Sequence, residues 1–207
     1  MKQKGKSKKC GIKPEDQPTN RTLKDLISEY LNTWNNQKCN NSCYTMCKDF
    51  EEAKRLYNGS VDIFLERCVC NRLRHQYCIS KKAVEKAVEK LMQADVLNKQ
   101  FNNFEELYDF IYDCIGKGKT GISYSTVYDT AARMGYSFPS KVLPKDYVYV
   151  HRKLVESTKH IIGKKSIIEE NRRIKRDLFI KVDSAFSDLN ALQIEDFLCI
   201  YNDSIVK

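Results

Sequence analysis

The sequence is poor in the residues that interrupt helices, with only 8 glycines and 4 prolines among 207 residues. Low-complexity disorder and fibrous repeats are rich in these residues, so both classes are excluded. Tryptophan and histidine are also scarce, at 1 and 3 residues. The chain is 42% hydrophobic and 11% aromatic, which is enough to form the core of one ordinary domain.

Long apolar runs are missing as well. No stretch approaches the roughly 18 consecutive apolar residues that a membrane helix needs. The first residues, MKQKGKSKKCG, lack the apolar segment of a secretory signal. We therefore expect a cytoplasmic protein with reduced cysteines and no membrane partner.

Hydrophobic periodicity predicts helices throughout the chain, without internal repeats or alternating strands. Ser80 is expected to cap one helix, and Asn103 with Glu106 another. Residues 145–150 are interpreted as an extended lead into a helix, with a short strand as the alternative. The predicted helices cover about 22–34, 43–57, 61–73, 80–97, 103–115, 123–135, a short segment from Ser137, 151–162, 164–181 and 191–201.

These elements predict an all-α fold, a single helical domain of about eight to ten helices over residues 22–207. Residues 1–21 are expected to form a disordered basic arm, with seven Lys and Arg against two acidic residues. Residues 159–181 carry eight basic residues against three acidic ones. This local excess within a net charge of +9 is typical of a protein that binds a phosphate backbone, and a solvated basic surface is the alternative.

The segment 104–134 is the most informative part of the sequence. Two amphipathic helices are joined by a glycine-rich turn that carries Lys117 and Lys119. Such a turn exposes backbone N–H groups at the start of the second helix, where an anion is favoured. We therefore expect this turn to bind a phosphate of double-stranded DNA, through Gly116, Lys117, Gly118, Lys119, Gly121, Ser123 and Ser125.

The string Gly121-Ile122-Ser123-Tyr124-Ser125-Thr126-Val127 resembles the hairpin of the helix-hairpin-helix DNA glycosylases, the endonuclease III-like superfamily. The pattern of that family is Gly-hydrophobic-Gly-x-Lys-Thr-Ala. Gly121, Ile122 and Thr126 match it, whereas Ser123 and Val127 depart from it. The resemblance implies a helix-hairpin-helix element at about 104–135, and a register on Gly116-Lys117-Gly118 is the alternative.

The same resemblance bears on catalysis. The lysine of the bifunctional members corresponds to Ser125, which has no amine, and the family aspartate corresponds to Tyr149 in Val148-Tyr149-Val150-His151. Asp146 is the candidate catalytic residue if that segment is shifted. The iron–sulfur cysteines of many relatives are absent, since Cys199 stands alone near the C-terminus. The resemblance therefore implies DNA binding without glycosylase catalysis, with a divergent glycosylase that uses Asp146 as the alternative.

A second resemblance is to a family of uncharacterised bacterial proteins that contain this hairpin. It rests on His75-Gln76, Tyr128 to Gly135, Val148 to His151 and Ile194 to Tyr201. The polar members of these strings predict a pocket for a small ligand or a protein partner, formed by His75, Gln76, Asp129, Arg133 and His151. The alternative is a hydrogen-bonded core histidine and an Asp129–Arg133 pair at i, i+4.

The cysteines offer a candidate metal site. Cys39, Cys43 and Cys47 would share one face of a continuous helix, and thiolates are ligands that zinc prefers. Further ligands could come from Cys68, Cys70, His75 and Cys78. The spacing lacks the Cys-x2-Cys pairs of common zinc sites, so buried thiols are the favoured interpretation and no cofactor is expected.

Overall fold

The computed structural model describes residues 21–35, 80–116, 118–138, 140–151, 154–163 and 172–205. Within these ranges the chain is mostly helical, with seven α-helices and one sheet of two short strands. The helices are α1 (Leu23–Asn35), α2 (Lys81–Gln93), α3 (Phe104–Ile115), α4 (Tyr124–Ser137), α5 (Val155–Ile162), α6 (Arg176–Val182) and α7 (Ala191–Ile205). The strands are β1 (Tyr147–Tyr149) and β2 (Arg173–Lys175), and two 3-10 turns cover Val96–Asn98 and Ser184–Asp188.

Side-chain caps fix the starts of α2 and α3. Ser80 accepts a hydrogen bond from the N–H of Ala83, and Asn103 accepts one from the N–H of Glu106. Both predicted helix starts are confirmed. In a standard capping box the Glu106 carboxylate would accept a hydrogen bond from the N–H of the N-cap residue. Here it accepts one from the N–H of Asn102, the residue before the N-cap, at 3.0 Å.

The buried side chains form two cores. Helices α2, α3 and α4 enclose the first, in which Leu91, Leu107, Ile111 and Val127 are fully buried. Helices α1, α5, α6 and α7 enclose the second, with Phe179, Phe186 and Phe197 at its centre.

Strand β1 lies between the two cores and contributes to both. Tyr149 packs into the first core, whereas Val148 and Val150 pack into the second. This division follows from the period of two in a strand, which places successive side chains on opposite faces. β1 pairs antiparallel with β2, with Val148 opposite Ile174.

The structure corrects the prediction in two places where the sheet forms. Residues 147–149 are a strand, so the extended lead into a helix was wrong and the alternative is confirmed. The continuous helix over 164–181 is also wrong, because residues 173–175 form β2 and the helix begins at Arg176. Ile174 is fully buried between the half-buried Arg173 and the exposed Lys175, and three residues are too few to show this alternation in the sequence.

Helix α4 continues through Gly135, where the sequence predicted its end, and finishes at Ser137. Gly135 serves close packing, since a Cβ there would overlap the carbonyl oxygen of Val142. The Gly135 carbonyl accepts the N–H of Val142 at 2.8 Å. The short helix predicted from Ser137 is wrong, because Phe138 and residues 140–146 are not helical.

Several sequence predictions lie outside the described residues: the basic arm at 1–21, of which only Arg21 is described, and the helices at 43–57 and 61–73. In the part of the chain that the structure describes, no helix combines the length and the apolar character of a membrane span.

Candidate functional site

The turn between α3 and α4 is closed by backbone hydrogen bonds and built on left-handed glycines. The N–H of Gly116 donates to the Tyr112 carbonyl at 2.8 Å, and the N–H of Lys119 donates to the Gly116 carbonyl at 2.9 Å. Gly118 has a φ of 73° and Gly121 a φ of 82°. Residues other than glycine rarely adopt this backbone conformation, so the glycines allow the chain to reverse its direction.

Residues 122–126 anchor this turn to the start of α4. Ile122 is buried, at 6% exposure, and Thr126 is fully buried. Ser123 has the extended conformation of an N-cap, and its hydroxyl accepts a hydrogen bond from the N–H of Thr126. Ser123 therefore caps the helix at the position where the glycosylase pattern has its second glycine.

Most of the predicted DNA-binding residues lie on the exposed side of the turn. Gly118, Lys119, Gly121 and Ser123 are exposed, Ser125 is half-buried and Gly116 is buried. Lys117 lies outside the described residues. The Lys119 ammonium donates to the Asp113 carbonyl, near the C-terminus of α3, where the helix dipole favours a positive charge.

A small cleft opens beside the first turn of α4. Its empty volume is about 190 Å³, including the part open to solvent. Most of this volume is open solvent or space between atoms, and the cleft has room for about one water molecule. The lining residues come from α3, α4 and β1, from the two residues after β1 and from the residue before β2: Tyr108, Tyr124, Ser125, Tyr128, Tyr149, Val150, His151 and Arg172.

Three tyrosine rings in contact form the apolar part of the cleft. The Tyr149 ring centroid is 4.3 Å from that of Tyr108 and 5.4 Å from that of Tyr128. Burial raises the pKa of all three hydroxyls, so they stay protonated well above neutral pH.

An arginine also lines the cleft. The Arg172 guanidinium lies over the Tyr124 ring, 4.6 Å from its centroid. Tyr124 is held in turn by Tyr112, whose hydroxyl donates to that of Tyr124 at 2.9 Å. Burial and this hydrogen bond raise the pKa of Tyr112 to about 12. The Arg172 carbonyl accepts a hydrogen bond from the N–H of Val150, which fixes the Arg172 backbone beside β1.

His151 brings a titratable group to the cleft. Its Nε2 lies 3.7 Å from Oε1 of Glu195 on α7, and both side chains are largely buried. Burial is the main cause of the raised pKa of the nearby Tyr128 hydroxyl, and the Glu195 and Asp129 carboxylates raise it further.

The predicted pocket is only partly within the described residues. His75 and Gln76 lie outside them. Asp129 and Arg133 are buried on α4, at 5% and 2% exposure, and His151 lines the cleft. The sequence did not predict that Glu195 lies beside His151. It also did not predict that Arg172 lines the cleft. Glu195 does occur in the string from Ile194 to Tyr201 that carried the second resemblance.

Asp146 lies away from the cleft. It is exposed and precedes β1, where its carbonyl accepts the N–H of Arg176 at 2.8 Å. His151 follows the same strand five residues later, and an extended segment of that length spans roughly 16 Å. Asp146 is not among the residues that line the cleft with Ser125. The acidic neighbour of Asp146 is Glu105, whose pKa is raised by burial and by this carboxylate.

The candidate metal ligands Cys39, Cys43 and Cys47 lie outside the described residues. Among the residues that are described, no three His, Cys, Asp or Glu side chains are grouped so that they could hold a metal ion. Cys114 is half-buried, and burial raises the pKa of its thiol. A thiol with a raised pKa is a weak nucleophile near neutral pH.

Comparison of the chain with family models, with curated proteins and with solved structures finds no match in any of the three.

Proposed function

We propose that this chain binds double-stranded DNA and that the turn between α3 and α4 contacts the phosphate backbone as a helix-hairpin-helix does. The observation that carries the proposal is the pair of left-handed, exposed glycines, Gly118 and Gly121, directly before a capped helix of 14 residues. Backbone N–H groups at such a turn are donors for an anion, and the helix dipole adds to the attraction.

Charge supports the same proposal. The chain has a net charge of +9, and Lys119 is exposed within the turn. Lys and Arg that neutralise phosphates release counterions, which gives affinity without sequence preference. The expected ligand is therefore duplex DNA of any sequence, bound more weakly as the salt concentration rises.

Binding without glycosylase catalysis fits the positions of the candidate groups best. Ser125 has no amine, and Asp146 lies at the far end of β1 from the cleft that Ser125 lines. A divergent glycosylase that uses Asp146 is the second candidate. It would release a base from damaged duplex, and Asp146→Asn would abolish this release; activity that survives the substitution would exclude that role.

The decisive experiment is a fluorescence-anisotropy titration of labelled duplex DNA at two salt concentrations. The full chain is compared with one that lacks residues 1–20 and keeps Arg21, which pairs with Glu29 on α1. Salt-dependent binding that survives the deletion supports a site on the folded domain. Loss of all binding with the arm would exclude the turn as the main contact.

Two single lysine variants test the contact at the turn directly. Lys119→Gln removes one exposed charge from the turn. Lys99→Gln is the matched control, because Lys99 is exposed and lies over Phe110 outside the turn. The proposal expects Lys119→Gln to reduce the slope of log affinity against log salt by about 1, with little change for Lys99→Gln. Equal slopes for the two variants would contradict a phosphate contact at the turn.

A further inference from the structure

We propose that Thr120 is a positioning residue for DNA binding, and that its hydroxyl holds the turn between α3 and α4 in the shape that contacts the phosphate backbone. This inference rests on the proposed function, because it concerns the same turn and the same partner. Thr120 lies between the two left-handed glycines, Gly118 and Gly121. Its side chain is buried, at 7% exposure, so it acts through the backbone of the turn and not by touching DNA.

The Thr120 hydroxyl joins the turn to the end of α3. It donates to the Ile115 carbonyl at 2.6 Å. Ile115 is the last residue of α3, and the last four carbonyls of a helix have no N–H partner within that helix. The hydroxyl therefore supplies a donor that the helix itself does not, and the hydrogen bond closes the chain from Ile115 to Thr120 into a loop.

Thr120 faces inward between exposed neighbours. Gly118, Lys119 and Gly121 are all exposed. Glycine populates many backbone conformations, so a segment with a glycine on each side of Thr120 is flexible unless a contact restrains it. A buried hydroxyl is costly without a partner, so the Ile115 carbonyl holds Thr120 in one place.

Two buried side chains hold the second half of the turn. Thr120 does so through its hydrogen bond, and Ile122 does so by packing in the first core. Apolar packing is non-directional, whereas a hydrogen bond requires a defined distance and angle. We therefore assign the orientation of the backbone around Gly121, which lies between these two residues, to the Thr120 hydroxyl.

This orientation matters because the proposed contact uses backbone N–H groups. A hydrogen bond weakens steeply when the donor points away from its acceptor. A turn that already has its bound shape also loses less conformational freedom when DNA binds. Loss of the Thr120 hydroxyl is therefore expected to weaken DNA binding without removing any positive charge, so the slope of log affinity against log salt stays the same.

The test compares four full-length proteins: wild type, Thr120→Val, Thr120→Ser and Thr130→Val. Valine is close to threonine in shape but has no donor, whereas serine keeps the hydroxyl. Thr130 is the matched control, because its buried hydroxyl also donates to a backbone carbonyl, that of Thr126 at 2.7 Å, but lies within α4. Labelled duplex DNA is titrated by anisotropy at two salt concentrations, and circular dichroism measures the Tm of each protein.

Thr120→Val and Thr130→Val are both expected to lower the Tm, since each removes a buried hydrogen bond. Only Thr120→Val is expected to bind DNA more weakly, by about tenfold, which is the effect of one lost hydrogen bond to a charged group. Its salt slope is expected to equal that of wild type. Thr120→Ser is expected to restore the affinity. If Thr120→Val does not fold, Thr120→Ala replaces it, because alanine places less apolar bulk beside the Ile115 carbonyl.

The outcomes separate this inference from the proposed function. Wild type that binds DNA no more tightly than Thr120→Val would overturn the role of Thr120 and retain DNA binding. An equal loss of affinity in Thr130→Val, or a lower salt slope in Thr120→Val, would also overturn it, because the loss would then come from stability or from charge. Wild type that binds no duplex at either salt concentration would overturn the proposed function and the role of Thr120 together.

Discussion

Tyr30 on α1 donates its hydroxyl proton to Oδ2 of Asp196 on α7 at 2.9 Å, across 166 positions of the sequence. Both side chains are buried, and the Tyr30 ring meets the Phe197 ring edge-on at 5.9 Å. The contact joins the first described helix to the last within the second core. Because Asp196 is at 3% exposure, its carboxylate depends on such donors in place of water.

Tyr30→Phe is expected to destabilise the protein by about 1–3 kcal/mol, because it removes a donor from a buried carboxylate. Tyr128→Phe is the matched comparison, since it removes a buried hydroxyl that has no partner among the described residues. It is expected to be neutral or slightly stabilising. Urea unfolding followed by circular dichroism measures both. A cost for Tyr30→Phe no larger than that for Tyr128→Phe would contradict the role of this hydrogen bond.

The helices with strong local signals were predictable from the sequence. The apolar spacing of 22–34 predicts α1, and the caps at Ser80 and Asn103 predict the starts of α2 and α3. These signals succeed because apolar periodicity and capping act within a few residues of the chain. The mostly helical character of the fold was therefore predictable from apolar periodicity and helix caps.

The sheet was not predictable in the same way. β1 and β2 have three residues each, and each strand is stabilised by a partner about 25 positions away in the sequence. The charges around Ile174 suggested a solvated helix face, whereas its burial depends on the second core. Gly135 likewise looked like a helix end, since the approach of Val142 is a tertiary contact. Long-range contacts override local preference at all three places.

The candidate site shows the same division. The turn residues follow from the string Gly121 to Val127, which is local. The cleft depends on Arg172 and His151 meeting α4 across the sheet, and on Glu195 reaching His151 from α7. No spacing in the sequence relates these residues, because they lie on separate elements. Only the three-dimensional structure shows that these residues lie close together.

Gly135→Ala and Gly118→Ala are expected to destabilise the protein for different reasons and by different amounts. A Cβ at Gly135 overlaps the Val142 backbone, which cannot move without disturbing the first core, so a cost of about 3 kcal/mol is expected. A Cβ at Gly118 meets nothing within 4 Å, and only its φ of 73° is unfavourable, at about 1 kcal/mol. Thermal and urea unfolding measure the difference. The reverse order would show that Gly135 is not closely packed.

The buried tyrosines predict a loss of stability at alkaline pH. The pKa of Tyr112 is raised to about 12, and burial also raises the pKa values of Tyr108, Tyr128 and Tyr149 above the ordinary 10.0. Above pH 10 the unfolded chain loses these protons while the folded chain keeps them, so the unfolded state binds fewer protons and stability falls as pH rises. The contribution is complete below pH 10 and is lost progressively from pH 10 toward 12.

Tyrosinate absorbance and circular dichroism, followed together against pH, test this expectation. The chain has 12 tyrosines, and those accessible to water are expected to ionise first while the helical signal is unchanged. The buried group is then expected to ionise together with the loss of helix, because deprotonation requires the first core to open. Ionisation of all 12 residues near pH 10 with the helical signal intact would mean that the tyrosines of the cleft are open to water.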